Sequence, residues 1–326
     1  MAINGVASLI YGVPDLAAAT KFYEDFGLDL DRRDDAGSDF STPDGSTVLL
    51  RHIADPSLPE NVLERPGVRE TVWGVDSAEN LDALERKLAA AGTVIRDDTG
   101  TLHTADPLGI PLGFRVFERN LVPGEHVPTN TVDEIQRWNA NRKWYKRARP
   151  RLIHHIGYTV PKGDIDAVEA FYVDVLNFRV TDISRGLATF LLADGRQDHH
   201  SIFIMDSARV QAEGITWNHA AFGVENVDEL MAGANELQRQ GWSSFLGMGR
   251  HRISSAINYY ANNPGGGDSE YLTDIDYVTD EWQPRVWEPR FGMMMWSAEV
   301  PDFMKHEPDW DWEILDRDPP PRFSEI

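Results

Sequence analysis

Three residues, far apart in the chain, have the types and settings of a metal site. His155 lies in the run His155-Ile156-Gly157-Tyr158-Thr159-Val160, and His219 lies in His219-Ala220-Ala221-Phe222-Gly223-Val224. Glu270 follows the tight turn Asn263-Pro264-Gly265-Gly266-Gly267 and starts a final strand expected over Glu270–Val278. Alternate side chains of a strand share a face. His155 is thereby grouped with Gly157 and Thr159, and His219 with Ala221 and Gly223. Ile156, Tyr158, Val160, Phe222 and Val224 fall on the opposite faces. Bulky faces pack against helices, whereas a histidine among Gly, Ala and Thr leaves room for a ligand. The same phase puts His154 on the bulky face. Two neutral imidazoles and one carboxylate on a rigid frame are a facial set suited to non-haem Fe(II), with coordination positions left for substrate and oxygen. Taken singly, a strand histidine is an ordinary packed residue and a glutamate an ordinary solvated one. The specificity lies in the combination.

The elements that must position these residues form an internal repeat. Residues 8–30 hold an alternating strand, a turn at Pro14 and a helical stretch with Phe22-Tyr23; residues 155–178 repeat the plan with Pro161 and Phe171-Tyr172. A second pair follows: Glu70–Val75 with a helix over Leu81–Gly92, and His219–Val224 with a helix over Val227–Gly241. Short strands such as Ala188–Leu192 and Ser201–Met205 should complete each module. The expected class is α+β: two domains, each of two paired β-α-β-β-β modules forming an open barrel around a cavity. The boundaries read as a first domain at 1–122, a connecting segment at 123–150 with a helix around Val132–Lys146, a second domain at 151–288 and a surface tail at 289–326. His155 and His219 hold equivalent places in their modules, as a shared metal would need.

Composition narrows the classes. The 326 residues carry 31 Lys plus Arg against 53 Asp plus Glu, a formal net charge of −22, which argues against nucleic acid and anionic membranes as partners. No apolar run is long enough to span a bilayer, and no secretory signal is visible, so a cytoplasmic protein is expected. Cysteine is absent, which excludes disulfides, thiolate nucleophiles and Cys-based metal sites.

The second half resembles the type I extradiol ring-cleavage dioxygenases of the vicinal-oxygen-chelate superfamily. The resemblance rests on Gly249-Arg250-His251, Tyr260, Asn263-Pro264, Gly266 and Glu270; Tyr259 departs from it, since that family has an aliphatic residue or Phe before the tyrosine. The resemblance implies that His155, His219 and Glu270 hold Fe(II), with Mn(II) fitting the same ligands. It implies that His200 assists oxygen and proton transfer, chosen over His199 by the family's His-His-Ser/Thr register. It implies too that His251 and Tyr260 hydrogen-bond the hydroxyls of a catechol-type substrate, whose ring O2 opens beside the diol. Homo-oligomers are usual in such a family.

In the first half, the matching positions hold Ser8, Glu70 and Gly113, which cannot grip a metal tightly, and His103 reads as packing or surface. Two alternatives stand beside ring cleavage. One is a glyoxalase-like metal-dependent isomerase or lyase with ligands from both halves or two subunits; the other is a non-catalytic small-ligand-binding protein of the same fold.

Overall fold

The computed structural model describes residues 2–125, 128–207, 212–317 and 321–326. Its first half holds β1 (Ile3–Val13), α1 (Leu16–Phe26), β2 (Asp29–Asp34), β3 (Gly37–Ser41) and β4 (Thr47–His52). These are followed by β5 (Gly67–Val75), α2 (Ala78–Ala91), β6 (Ile95–Arg96), β7 (Leu102–Ala105) and β8 (Pro111–Val116). The second half repeats this with β9 (Leu152–Val160), α3 (Ile165–Ala170), β10 (Arg179–Ser184), β11 (Ala188–Leu192) and β12 (Ile202–Asp206). Then come β13 (Thr216–Gly223), α4 (Val227–Arg239), β14 (Met248–Arg250), β15 (Ile257–Asn262) and β16 (Asp268–Thr273). The C-terminal stretch adds β17 (Arg285–Trp287), α5 (Pro289–Met293), β18 (Trp296–Ser297) and β19 (Trp312–Ile314). No helix among the described residues is long and apolar enough to cross a membrane.

Each half forms one mixed sheet, ordered β2-β3-β4-β1-β5-β8-β7-β6 in the first and β18-β14-β15-β16-β13-β9-β12-β11-β10-β17-β19 in the second. The modules meet edge to edge, through the antiparallel pairs β1–β5 and β9–β13. This is the expected class, an α+β chain of two sheet-rich halves whose sheets stay open. Joining the modules this way removes two exposed sheet edges in each half.

The bulky strand faces do meet helices. Ile156, Tyr158, Val160 and Phe222 are buried in the main core. That core is shared between halves. On α1, whose apolar residues recur at helical spacing, Phe26 stacks on Tyr271 of β16 at 4.2 Å between ring centroids, and Phe22 meets Trp242 edge-on. Reciprocally, Tyr172 after α3 packs against Trp73 of β5. Asp15 caps α1 through the backbone N–H of Ala18, and Gly27 ends it in the left-handed region. A further join comes from the Gly turn: at Gly266, with φ +110°, an added Cβ would lie 1.8 Å from the carbonyl oxygen of Pro66.

Three expectations need correction. Residues 132–146 hold no helix; an isolated bridge joins Thr131 to Glu134, and Asp133 and Asn139 adopt positive φ. The apolar residues that would have needed a packing surface, Val132, Trp138 and Trp144, are all exposed. Charge ties the segment down: Arg142 pairs with Asp228, and Lys143 pairs with Glu225. The strand carrying Glu270 ends at Thr273, because the chain turns at Asp274 with φ 57°. The C-terminal stretch is more than a surface tail, since β18 pairs with β14, β19 pairs with β17, and Phe291 and Met294 are buried.

Candidate metal centre

Strand register brings the three far-separated residues together. Ala221 on β13 stands opposite His155 on β9 and also opposite Glu270 on the parallel neighbour β16. His219, two residues before Ala221, therefore shares its face. Nε2 of His155 lies 3.0 Å from Nε2 of His219, and each is 3.3 Å from Oε2 of Glu270. Among the described residues these three form the one group of His, Asp or Glu side chains whose ligand atoms converge closely enough for a metal ion.

The electrostatics suit a cation. Glu270 is fully buried, and neither carboxylate oxygen has a hydrogen-bond partner. A buried carboxylate without a compensating partner is strongly unfavourable. Burial raises the Glu270 pKa, but His155 and His219 beside it more than reverse that and hold the group ionised. Burial pushes His155 down to about 4, keeping the imidazole neutral with a lone pair to give. The residues present thus fit a divalent metal ion held by two neutral nitrogens and one anionic oxygen.

The other expected residues line the same chamber. The His200 ring lies over His155 at 4.1 Å between centroids, and burial lowers its pKa well below the ordinary value. Tyr260 pairs with Glu270 across β15–β16, and its hydroxyl is 3.0 Å from Nε2 of His251. Nδ1 of His251 meets the carbonyl oxygen of Met293. Nδ1–H donates there, so Nε2 accepts the Tyr260 hydroxyl proton. Phe190 and Phe203 flank His200 and His219. Met293 from α5 packs against the cluster of Leu187, Ala188 and Phe203 and against the cluster of Leu246, Tyr260 and Met294. The C-terminal stretch thereby roofs the chamber, which strand phase alone does not reveal.

The first half repeats this geometry without the ligands. Val72 stands opposite Ser8 and Gly113, and Glu70 stands opposite Ile10, so Ser8, Glu70 and Gly113 occupy the places of His155, His219 and Glu270. His103 pairs with Gly113 as Tyr260 pairs with Glu270. It is more than packing: its Nδ1 is 2.7 Å from Glu70 and its Nε2 is 3.2 Å from Asp97. Ile10, Leu49, Glu70, His103 and Pro111 line a cavity of about 510 Å³ there. Strand phase for His154, and the family register for His199, undervalued two neighbours of the site histidines. His154 is 2.8 Å from Asp198, and His199 hydrogen-bonds Asp182 at 3.2 Å. The visible signal was the doublets His154-His155 and His199-His200.

The model of the glyoxalase/bleomycin resistance protein/dioxygenase superfamily matches residues 5–111 and 152–267. The chain belongs to this superfamily. Both matched stretches begin near the first strand of a half, so the family pattern occurs twice, as the repeat requires. Among curated members, the chain is 27% identical to metapyrocatechase 2 of Cupriavidus necator, over 93% of this chain and 91% of that protein. It is 24% identical to the manganese-dependent 2,3-dihydroxybiphenyl 1,2-dioxygenase of Geobacillus genomosp. 3, over 82% of this chain and 88% of that one. Among solved structures, the Mn(II)-bound glyoxalase from Novosphingobium aromaticivorans superposes with a TM-score of 0.72 at 23% identity, covering 94% of this chain and 95% of the other. That last likeness establishes the shared fold.

Proposed function

We propose that this superfamily member cleaves the ring of a catechol-type aromatic diol beside its two hydroxyls, inserting both atoms of O2, with Fe(II) at His155, His219 and Glu270. The observation that carries the reading is the convergence of these three ligand atoms in a buried chamber that also holds His200, His251 and Tyr260. Relatives named metapyrocatechase 2 and manganese-dependent 2,3-dihydroxybiphenyl 1,2-dioxygenase, matched along most of the chain, support it. Mn(II) is the second candidate metal, since the same donor set accepts either ion. When bound, the metal supplies the positive charge that acidifies the diol and the redox centre linking the diol's electrons to oxygen.

The protein's own groups do the rest. Tyr260 donates its proton to His251, which leaves its oxygen lone pairs to accept a substrate hydroxyl and orient the ring. Neutral His200, tilted over the His155 ring, would take the proton released by the diol and return it to the ring-opened product. Phe190, Phe203 and Met293 enclose the ring and exclude water from the reacting atoms. The first half supplies only Ser8, Glu70 and Gly113 at the matching places, which speaks against a glyoxalase-like site with ligands drawn from both halves.

The test is anaerobic loading with Fe(II), or with Mn(II), followed by mono- and bicyclic catechols under oxygen. Stoichiometric oxygen consumption with a yellow ring-opened product is the expected result. A metal-loaded protein that consumes no oxygen with any of them refutes the reading.

A further inference from the structure

The first half has a chamber of its own, on the face of its sheet equivalent to the one that carries the metal ligands in the second. Leu49 of β4 stands opposite Ile10 of β1, Ile10 stands opposite Glu70 of β5, and His103 of β7 stands opposite Gly113 of β8. The cavity of about 510 Å³ there is walled by Ile10, Leu49, Leu58, Pro59, Ile95 and Pro111. Glu70, only 3% exposed, lies at its floor, while Ser57 and Ile95 stand exposed at its mouth. Gly113 keeps the floor open: an added Cβ would lie 2.9 Å from Val72 and 3.4 Å from Oε1 of Glu70. Arg69 donates to the carbonyl oxygen of Pro59 and so pins the loop that carries Leu58 and Pro59. A preformed cavity of this size suits a one- or two-ring molecule.

Its polar groups restrict what it can hold. Oε1 of Glu70 faces Nδ1 of His103 at 2.7 Å, and Nε2 of His103 faces Asp97 at 3.2 Å. Burial raises the Glu70 pKa and lowers that of His103; the contact between them opposes both shifts, and for His103, with Asp97 on its far nitrogen, it prevails. Asp97 is partly solvated, and Arg51, the other charged group on the cavity, pairs with Asp39 at 2.6 Å. Glu70 with His103, and Arg51 with Asp39, leave no uncompensated charge inside for an ionic ligand. Oε2 of Glu70 is the exception to this balance: among the described residues it has no hydrogen-bond partner, although the side chain is buried. A buried acceptor of this kind calls for a donor. We propose that the first-half cavity is a second binding site, which takes an uncharged phenol with its hydroxyl donating to Oε2 of Glu70 and its ring among the apolar walls. A phenol suits it better than an alkanol, because the more acidic hydroxyl makes the stronger bond to a carboxylate. The site uses no metal and stands independently of the ring-cleavage reading.

The test is an NMR titration of metal-free protein, labelled at Ile and Leu methyl groups, with 4-methylphenol. The methyls of Ile10, Leu49, Leu58 and Ile95 are expected to shift together and to approach saturation by about 10 mM, where a millimolar site is nearly full. Glu70→Leu removes the acceptor and should raise the Kd on the order of tenfold or more. Leu49→Trp fills the space and should abolish the shifts while leaving Glu70 in place. Benzylamine, a cation at neutral pH, and benzoate, an anion, should each bind there on the order of tenfold more weakly, since neither finds an uncompensated partner. Cyclohexanol should bind more weakly than 4-methylphenol. Four unmoved methyls in the wild-type protein overturn the proposal, as do shifts confined to second-half methyls such as Leu187. So does an unchanged Kd in Glu70→Leu, or a charged ligand or cyclohexanol that binds as tightly as the phenol. The wild-type titration and the ligand series decide even if a variant fails to fold. Binding of 4-methylphenol in the first half by a protein that leaves every catechol intact would uphold this site while removing the ring-cleavage reading.

Discussion

Nε2 of His155 and Nε2 of His219 face each other at 3.0 Å although 64 residues separate them in the chain. Two imidazole nitrogens aimed at one point, with the Glu270 carboxylate oxygens lacking a hydrogen-bond partner alongside, gather three potential ligand atoms in a buried place. Buried polar groups are ordinarily satisfied within the protein. A cation among the three would satisfy the carboxylate, and the strand register around Ala221 brings the three ligand atoms around one point.

Removing any corner should release the metal. His155→Ala, His219→Ala and Glu270→Gln are each expected to lose stoichiometric Fe(II) or Mn(II) while keeping the far-ultraviolet circular dichroism of the wild type. Elemental analysis after gel filtration checks this. Retention of one metal per chain would remove that residue from the centre.

Filling the floor should act like removing a corner. Ala221 is fully buried beneath both His155 and Glu270, so Ala221→Leu must push one of them aside. The expected destabilisation is about 1–3 kcal/mol, typical of overpacking, together with loss of metal. A variant that binds metal with wild-type affinity would show that the space between the ligands lies elsewhere.

His200 should separate binding from turnover. Its ring lies tilted over His155, but it is not among the converging ligand atoms. His200→Phe, which keeps an aromatic ring against Phe190, is expected to retain the metal and lose turnover by on the order of 10²-fold or more. Oxygen-electrode rates near the wild type would refute its proton-transfer role.

A separate prediction concerns the first half and needs no metal. Asp106, buried in the turn before β8, is raised from 3.8 to about 6 by burial, despite accepting backbone N–H bonds from Leu108 and Ile110. Between those values the folded chain holds a proton that the unfolded chain has released. Stability therefore falls as pH rises through that window, by roughly 3 kcal/mol at most, and this contribution is flat above it. Urea unfolding at pH 4, 5, 6 and 7 should show that Asp106→Asn lacks this component. Identical slopes in both proteins would contradict it.

Much of the site was legible because a strand has a period of two. Sorting Gly157, Thr159 and Ala221 away from Ile156, Tyr158 and Phe222 grouped the faces on which His155 and His219 converge with Glu270, and the repeat located Ser8, Glu70 and Gly113 as their counterparts. The helix expected over 132–146 failed for a related reason. A connecting segment with no face to bury takes whatever path its ion pairs dictate, and those partners, Asp228 and Glu225, lie far along the chain.

From its sequence alone the chain determined which residues could ligate a metal, since side-chain type and alternation are local properties. Folding decided how those residues meet. Strand register put Ala221 between His155 and Glu270, and the C-terminal stretch brought Met293 over Tyr260. It also turned His154, which alternation placed on the bulky face, and His199, which the family register passed over, toward Nδ1 of the histidines they precede. Such contacts depend on side-chain rotation and on partners contributed by distant strands, and no periodicity encodes either.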